Sequence, residues 1–128
     1  MTPEQYIKQE ILALTSDWSG EEFDYNLPAE EIEKLYDELV AKSEHWDGRN
    51  EMRSGQVETD LECDGGRVFE AKSVAMKTHD GKWVGWTYYY GGGKHADAEG
   101  KEWMSESYFL DCNEKEKLVI IREFTKQK

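Results

Sequence analysis

The sequence predicts an α+β fold: N-terminal helices packed on a long, strongly curved antiparallel β-sheet. Three observations predict it. Apolar residues recur at helical spacing as far as Val40, the apolar period drops from about 3.6 to about 2 residues near Gln56, and glycine turns then punctuate the chain. A chain of 128 residues suits one core, so a single domain over residues 1–128 is expected. Five Trp, seven Tyr and four Phe provide the large side chains that a disordered acidic chain lacks.

The first helix is read over 2–18, where Ile7, Ile11, Leu14 and Trp18 form one stripe. Thr2 and Gln5 compose a capping box, Pro3 suits the first helical position, and Gly20 stops the helix. The short acidic stretch from Glu21 to Leu27 is expected to tuck Phe23 and Tyr25 in as packing residues. Pro28 opens a second helix whose Glu30, Glu31 and Glu33 lie against its positive end. Ile32, Leu35, Tyr36, Leu39 and Val40 form its apolar face, Asp47-Gly48 ends it, and 48–55 reads as a polar connection.

Strands are expected at 56–63, 67–79, 82–93, 100–112 and 117–126. The turns between them fall at Asp64-Gly65-Gly66, Asp80-Gly81, Gly91-Gly92-Gly93, Glu99-Gly100 and Asn113 to Lys115, with Asp80-Gly81 a two-residue hairpin. Alternation puts Val84, Trp86, Tyr88 and Tyr90 on one face of the third strand and Trp83, Gly85, Thr87 and Tyr89 on the other. Gly85 and the triple glycine suit a strongly bent sheet. A closed barrel would need about eight strands, more than this chain provides.

Sixteen basic residues against 28 acidic ones leave a net charge of −12. Up to Gly66 there are five basic and 18 acidic residues, a balance of −13, and beyond it the balance is +1. Such a surface repels phosphate backbones and anionic bilayers, so neither nucleic acid nor a membrane is an expected partner. Solubility is the plain reason for the acidity. A sharper one is an acidic face for a basic protein, or mimicry of nucleic-acid charge. No apolar run approaches the roughly 18 residues of a membrane span, and a soluble, unprocessed cytoplasmic chain is expected.

Cys63 and Cys112 lack C-x-x-C spacing and are expected reduced and buried on strands. His95, Asp97 and Glu99 would share one side of an extended strand, but a solvated hairpin tip explains them without a metal. Gly91-Gly92-Gly93-Lys94 lacks phosphate-loop spacing and a following helix, and Ser54, Ser73, Ser105 and Ser107 lack a nucleophile-elbow context. Neither a metal nor a cofactor is expected.

The run Asp80-Gly81-Lys82-Trp83-Val84-Gly85-Trp86-Thr87-Tyr88 is followed by Gly92-Gly93-Lys94, Gly100-Lys101-Glu102, Tyr108-Phe109 and Lys117-Leu118-Val119-Ile120 to Phe124. Over residues 67–126 this resembles the C-terminal half of SnoaL-like proteins of the NTF2-like superfamily, which have a cystatin-like cone fold. The resemblance implies a pocket between helices and sheet, a frequent dimeric state, and members that range from isomerases, cyclases and dehydratases to binders and association domains. It also implies that an enzyme would carry an Asp or His acid/base inside the cone. The helical part is short beside the family's usual three helices.

Candidate pocket residues are Trp86, Tyr88, Tyr90, Trp103, Tyr108, Tyr36, His45 and Asp111. Within that set Asp111 or His45 is the candidate acid/base and Tyr88, Tyr90 and Tyr108 the candidate oxyanion donors. Core packing for the tyrosines and a turn cap for Asp111 explain the same residues without chemistry. Trp83, Trp86 and Trp103 exceed what so small a core hides easily, so one aromatic face is expected to line a cavity or meet a second copy through the sheet. The expected function is binding of a small apolar or aromatic ligand in the cone, with acid–base catalysis of the isomerase or dehydratase kind as a lesser outcome. The alternative is an acidic, non-catalytic protein-interaction module.

Overall fold

In the computed structural model, which describes residues 1–94 and 96–128, the capping box at Thr2 forms. The Gln5 N–H donates to Thr2 Oγ1 at 3.2 Å and the Thr2 N–H to Gln5 Oε1 at 2.9 Å, opening helix α1 (Pro3–Trp18). Its buried stripe is Tyr6, Ile7 and Ile11, while Trp18, placed on that stripe by spacing, remains 53% exposed one turn beyond the sheet-facing region. The Glu21 N–H donates to the Ser16 carbonyl at 2.9 Å and closes the helix.

Helix α2 (Ala29–Ala41) starts after Pro28 as expected and buries Ile32 and Tyr36. It ends in the same kind of motif, the Glu44 N–H donating to the Leu39 carbonyl at 2.9 Å. That geometry puts Ser43 at φ 56°, a left-handed conformation in a residue with a side chain. The expected polar connection after Asp47 is instead a third helix, α3 (Trp46–Met52). Gly48 is buried inside it, and a Cβ there would lie 2.9 Å from Ile11 Cγ2, so the glycine serves close approach of α3 to α1.

Among the described residues the sheet has four antiparallel strands in the order β1-β2-β3-β4 and is open: β1 (Val57–Glu58), β2 (Glu70–Lys77), β3 (Trp83–Tyr90) and β4 (Tyr108–Leu110). Register confirms the alternation along β3, with Trp86 opposite Val74 and Val84 opposite Met76. These four side chains are fully buried and share one core with Tyr6, Ile7 and Ile11, so α1 covers that face. The opposite face carries Ala75, Trp83, Gly85, Tyr108 and Leu110.

The strands are shorter than expected, and two corrections have clear causes. The turn between β2 and β3 is a three-residue loop, His79–Gly81, because the Thr78 N–H pairs with the Lys82 carbonyl at 2.7 Å and Thr78 Oγ1 accepts the Lys82 N–H at 2.8 Å. The fourth strand begins at Tyr108 instead of residue 100, because buried Arg49 captures the Glu99 carbonyl at 2.5 Å and the Lys101 carbonyl at 2.9 Å. Trp103 and Met104 are thereby drawn into the core. Only three residues of β4 are left as a template, and 117–126 forms no strand. Both cysteines are free and exposed, a correction to their expected burial, since Cys63 precedes β2 and Cys112 follows β4.

Candidate functional site

Glu10 and Asp17 are seven residues apart on α1, two helical turns along one face, with Leu14 between them. The chain reverses at Gly20 and returns Glu21, Glu22, Phe23 and Tyr25 beside that face. The result is a cleft of about 450 Å³ walled by four carboxylates and two aromatic rings, with no Lys or Arg among the described residues of its wall. Phe23 meets Tyr25 edge to face at 5.1 Å, and Tyr25 stacks flat on His79 of the β2–β3 loop at 3.9 Å. Gln9, buried, donates from Nε2 to the Tyr25 carbonyl at 3.4 Å and ties the reversal to the helix.

Burial pushes the Glu10 carboxyl above the ordinary carboxylate range, against the opposing pull of His79 and of a hydrogen bond from Tyr25. Burial and the adjacent Glu10 charge push the Tyr25 phenol up as well. A partly desolvated carboxylate beside further carboxylates favours an incoming cation, and ring faces add cation–π attraction for Lys or Arg.

A second cleft, of about 260 Å³, lies between the helices and residues 100–104 and includes Tyr36, His45, Trp46 and Arg49. Tyr36 donates to Met104 Sδ at 3.7 Å, and its ring meets His45 at 6.2 Å. His45 Nδ1 is buried without a partner among the described residues. Burial, then the Arg49 charge, lowers the His45 pKa and favours neutral imidazole.

The eight residues singled out by sequence fall in four places. Trp86 and Trp103 pack together in the core at 5.0 Å, with the Trp86 indole N–H donating to the Arg53 carbonyl at 2.8 Å. Tyr36 and His45 line the second cleft. Tyr88 and Tyr90 stack on each other at 5.4 Å beneath Lys72. Tyr108 lies opposite Gly85 on the outer face of the sheet, and Asp111 borders a groove on that face. The carboxylates that tyrosine hydroxyls reach are different ones. Tyr6 donates to Asp80 at 2.7 Å and Tyr89 to Glu106 at 3.0 Å.

His95 lies outside the described residues. Asp97 accepts the Gly100 N–H at 3.0 Å as a loop cap, and among the described residues no group of three His, Cys, Asp or Glu side chains is placed to hold a metal. No helix among them is long and apolar enough to cross a membrane. The i, i+7 acid pair on α1 was available in the sequence as a signal for the acidic cleft, whereas the Tyr25–His79 stack joins residues too distant for any local pattern. Comparison with family models, curated proteins and solved structures returns no match to this chain.

Proposed function

We propose that the protein is a non-catalytic interaction module that receives a basic segment of a partner protein in the cleft between α1 and residues 21–25. The observation that carries this reading is the wall itself: Glu10, Asp17, Glu21 and Glu22 surround the paired rings of Phe23 and Tyr25, with no Lys or Arg among its described residues. A Lys or Arg entering there gains ion pairing with Glu10 and stacking on Tyr25. The acidic balance of residues 1–66 extends the attraction beyond the cleft and steers encounter with a basic partner.

The test is titration of a short fluorescent Arg- and Lys-containing peptide, followed by anisotropy at low and high salt. Binding should weaken as salt rises. It should fall about tenfold in the Glu10→Gln/Asp17→Asn double variant, which retains the shape of the wall. Binding indifferent to that variant, or no binding at low salt, would remove the proposal.

A second reading, a small aromatic ligand in an NTF2-like cone, is supported by the unpartnered His45 Nδ1 beside Tyr36 and Trp46. Small phenols should then shift the His45 imidazole resonances in NMR, and an unchanged spectrum would count against it.

A further inference from the structure

Lys117 to Phe124 reads as a strand, yet Leu118, Val119, Ile120, Ile121 and Phe124 are 105%, 77%, 78%, 81% and 86% exposed. These are large apolar side chains, three of them β-branched, in a segment that joins no strand pair among the described residues. The same chain carries an open receptor of matching character. On the outer face of the sheet Val57, Leu61, Ala75, Trp83 and Leu110 line a groove of about 320 Å³.

Charge matches as well. The groove wall includes Glu58, Asp60 and Asp111 and no basic residue. Residues 117–128 carry Lys117, Arg122, Lys126 and Lys128 against Glu123 alone. Lys72 already holds Glu58 at 2.8 Å, which leaves Asp60 and Asp111 to meet the incoming cations.

We propose that residues 117–124 of one copy pack as a strand in the groove of a second copy, and reciprocally, making a strand-exchanged homodimer. Strand and receptor belong to the same chain, so two copies related by a two-fold axis satisfy each other and close the assembly. Only Glu114, Lys115 and Glu116 separate the wall residues 110–113 from Lys117, so receptor and strand are joined by a short connection. A short hinge of this kind favours exchange between copies.

Sedimentation of the 128-residue chain at micromolar concentration tests the proposal, with a dimer expected. Ile120→Lys and, separately, Leu61→Lys should each weaken association about tenfold or more. Both side chains are exposed in the single copy, so the fold should survive, as circular dichroism will verify. Mixing the two variants unites an intact groove with an intact strand, so the mixture should associate more tightly than either variant alone. Oxidation of an Ile120→Cys/Cys63→Ser chain should join the introduced thiol to Cys112 of the other copy and give a covalent dimer. A monomeric parent chain, a dimer indifferent to Ile120→Lys, a mixture no tighter than its components, or a cross-link closed within one copy would each overturn the proposal.

Discussion

Trp86 and Trp83 stand three residues apart on one strand, on opposite faces of the sheet, and meet opposite fates. Trp86 is fully buried under α1, beside Trp103, with its indole N–H satisfied by the Arg53 carbonyl. Trp83 is only half-buried and borders the outer groove. Alternation assigned both to their faces, but what covers each face decides how much apolar area leaves water. The outer face itself is uneven. Tyr89, which alternation assigns to the side of Trp83, is buried within the same core cluster as Trp86 and Trp103, with Phe69 and Lys101 against its ring and Glu106 on its hydroxyl, whereas the Trp83 end is open.

The largest test of that contrast is truncation of each tryptophan. Trp86→Ala should cost about 3–5 kcal/mol in urea unfolding, because it opens a cavity and strips a carbonyl of its donor. Trp83→Ala should cost less than about 1 kcal/mol in the single copy. Equal losses would erase the distinction between the faces.

Arg49 is next. It is buried, its guanidinium spans the Glu99 and Lys101 carbonyls, and it lies over Trp46 and Trp103. Arg49→Met should cost about 2–3 kcal/mol and raise the hydrogen exchange of residues 99–104 above that of β2 and β3. Uniform exchange would show that Arg49 does not hold this segment.

On the outer face, a Cβ at Gly85 would lie 2.7 Å from Leu110 Cδ1 and 2.8 Å from Tyr108 Cε2. Gly85→Ala should therefore cost about 1–3 kcal/mol by lifting β4 from the sheet, measured by thermal unfolding. A neutral effect would mean that β4 yields freely and contributes little to covering this face.

A pH-dependent effect sharpens the covered end of the same face. Burial, then the hydrogen bond to Glu106 and its charge, pushes the Tyr89 phenol from 10.0 up to about 12. The folded state thus keeps a proton that the unfolded state loses, and stability should fall as pH rises from 10.0 to about 12. Tyr89→Phe should flatten that decline in urea titrations, and an unchanged decline would assign it to other groups.

The smallest change touches neither face. Ser43→Gly relieves a left-handed serine at the end of α2 and should stabilise by about 1 kcal/mol, leaving the Trp86-to-Trp83 contrast as it was. Destabilisation would show that the serine side chain contributes something its backbone strain conceals.

The local elements were legible because their causes are local. The Thr2–Gln5 box, Pro28 before α2 and the two-face alternation of β3 all involve residues a few positions apart, where propensity and spacing act directly. The sequence by itself thus determined the α+β order and the division of β3 into two faces. Tertiary structure decided the rest through contacts between distant residues. Ile11 against Gly48 permits a third helix, Arg49 reaching Glu99 and Lys101 shortens a strand, and Tyr25 stacked on His79 fixes the chain reversal against the β2–β3 loop. The site residues scattered for the same reason: aromatic alternation specifies a face of the sheet, but a pocket depends on which helix and loop arrive above that face.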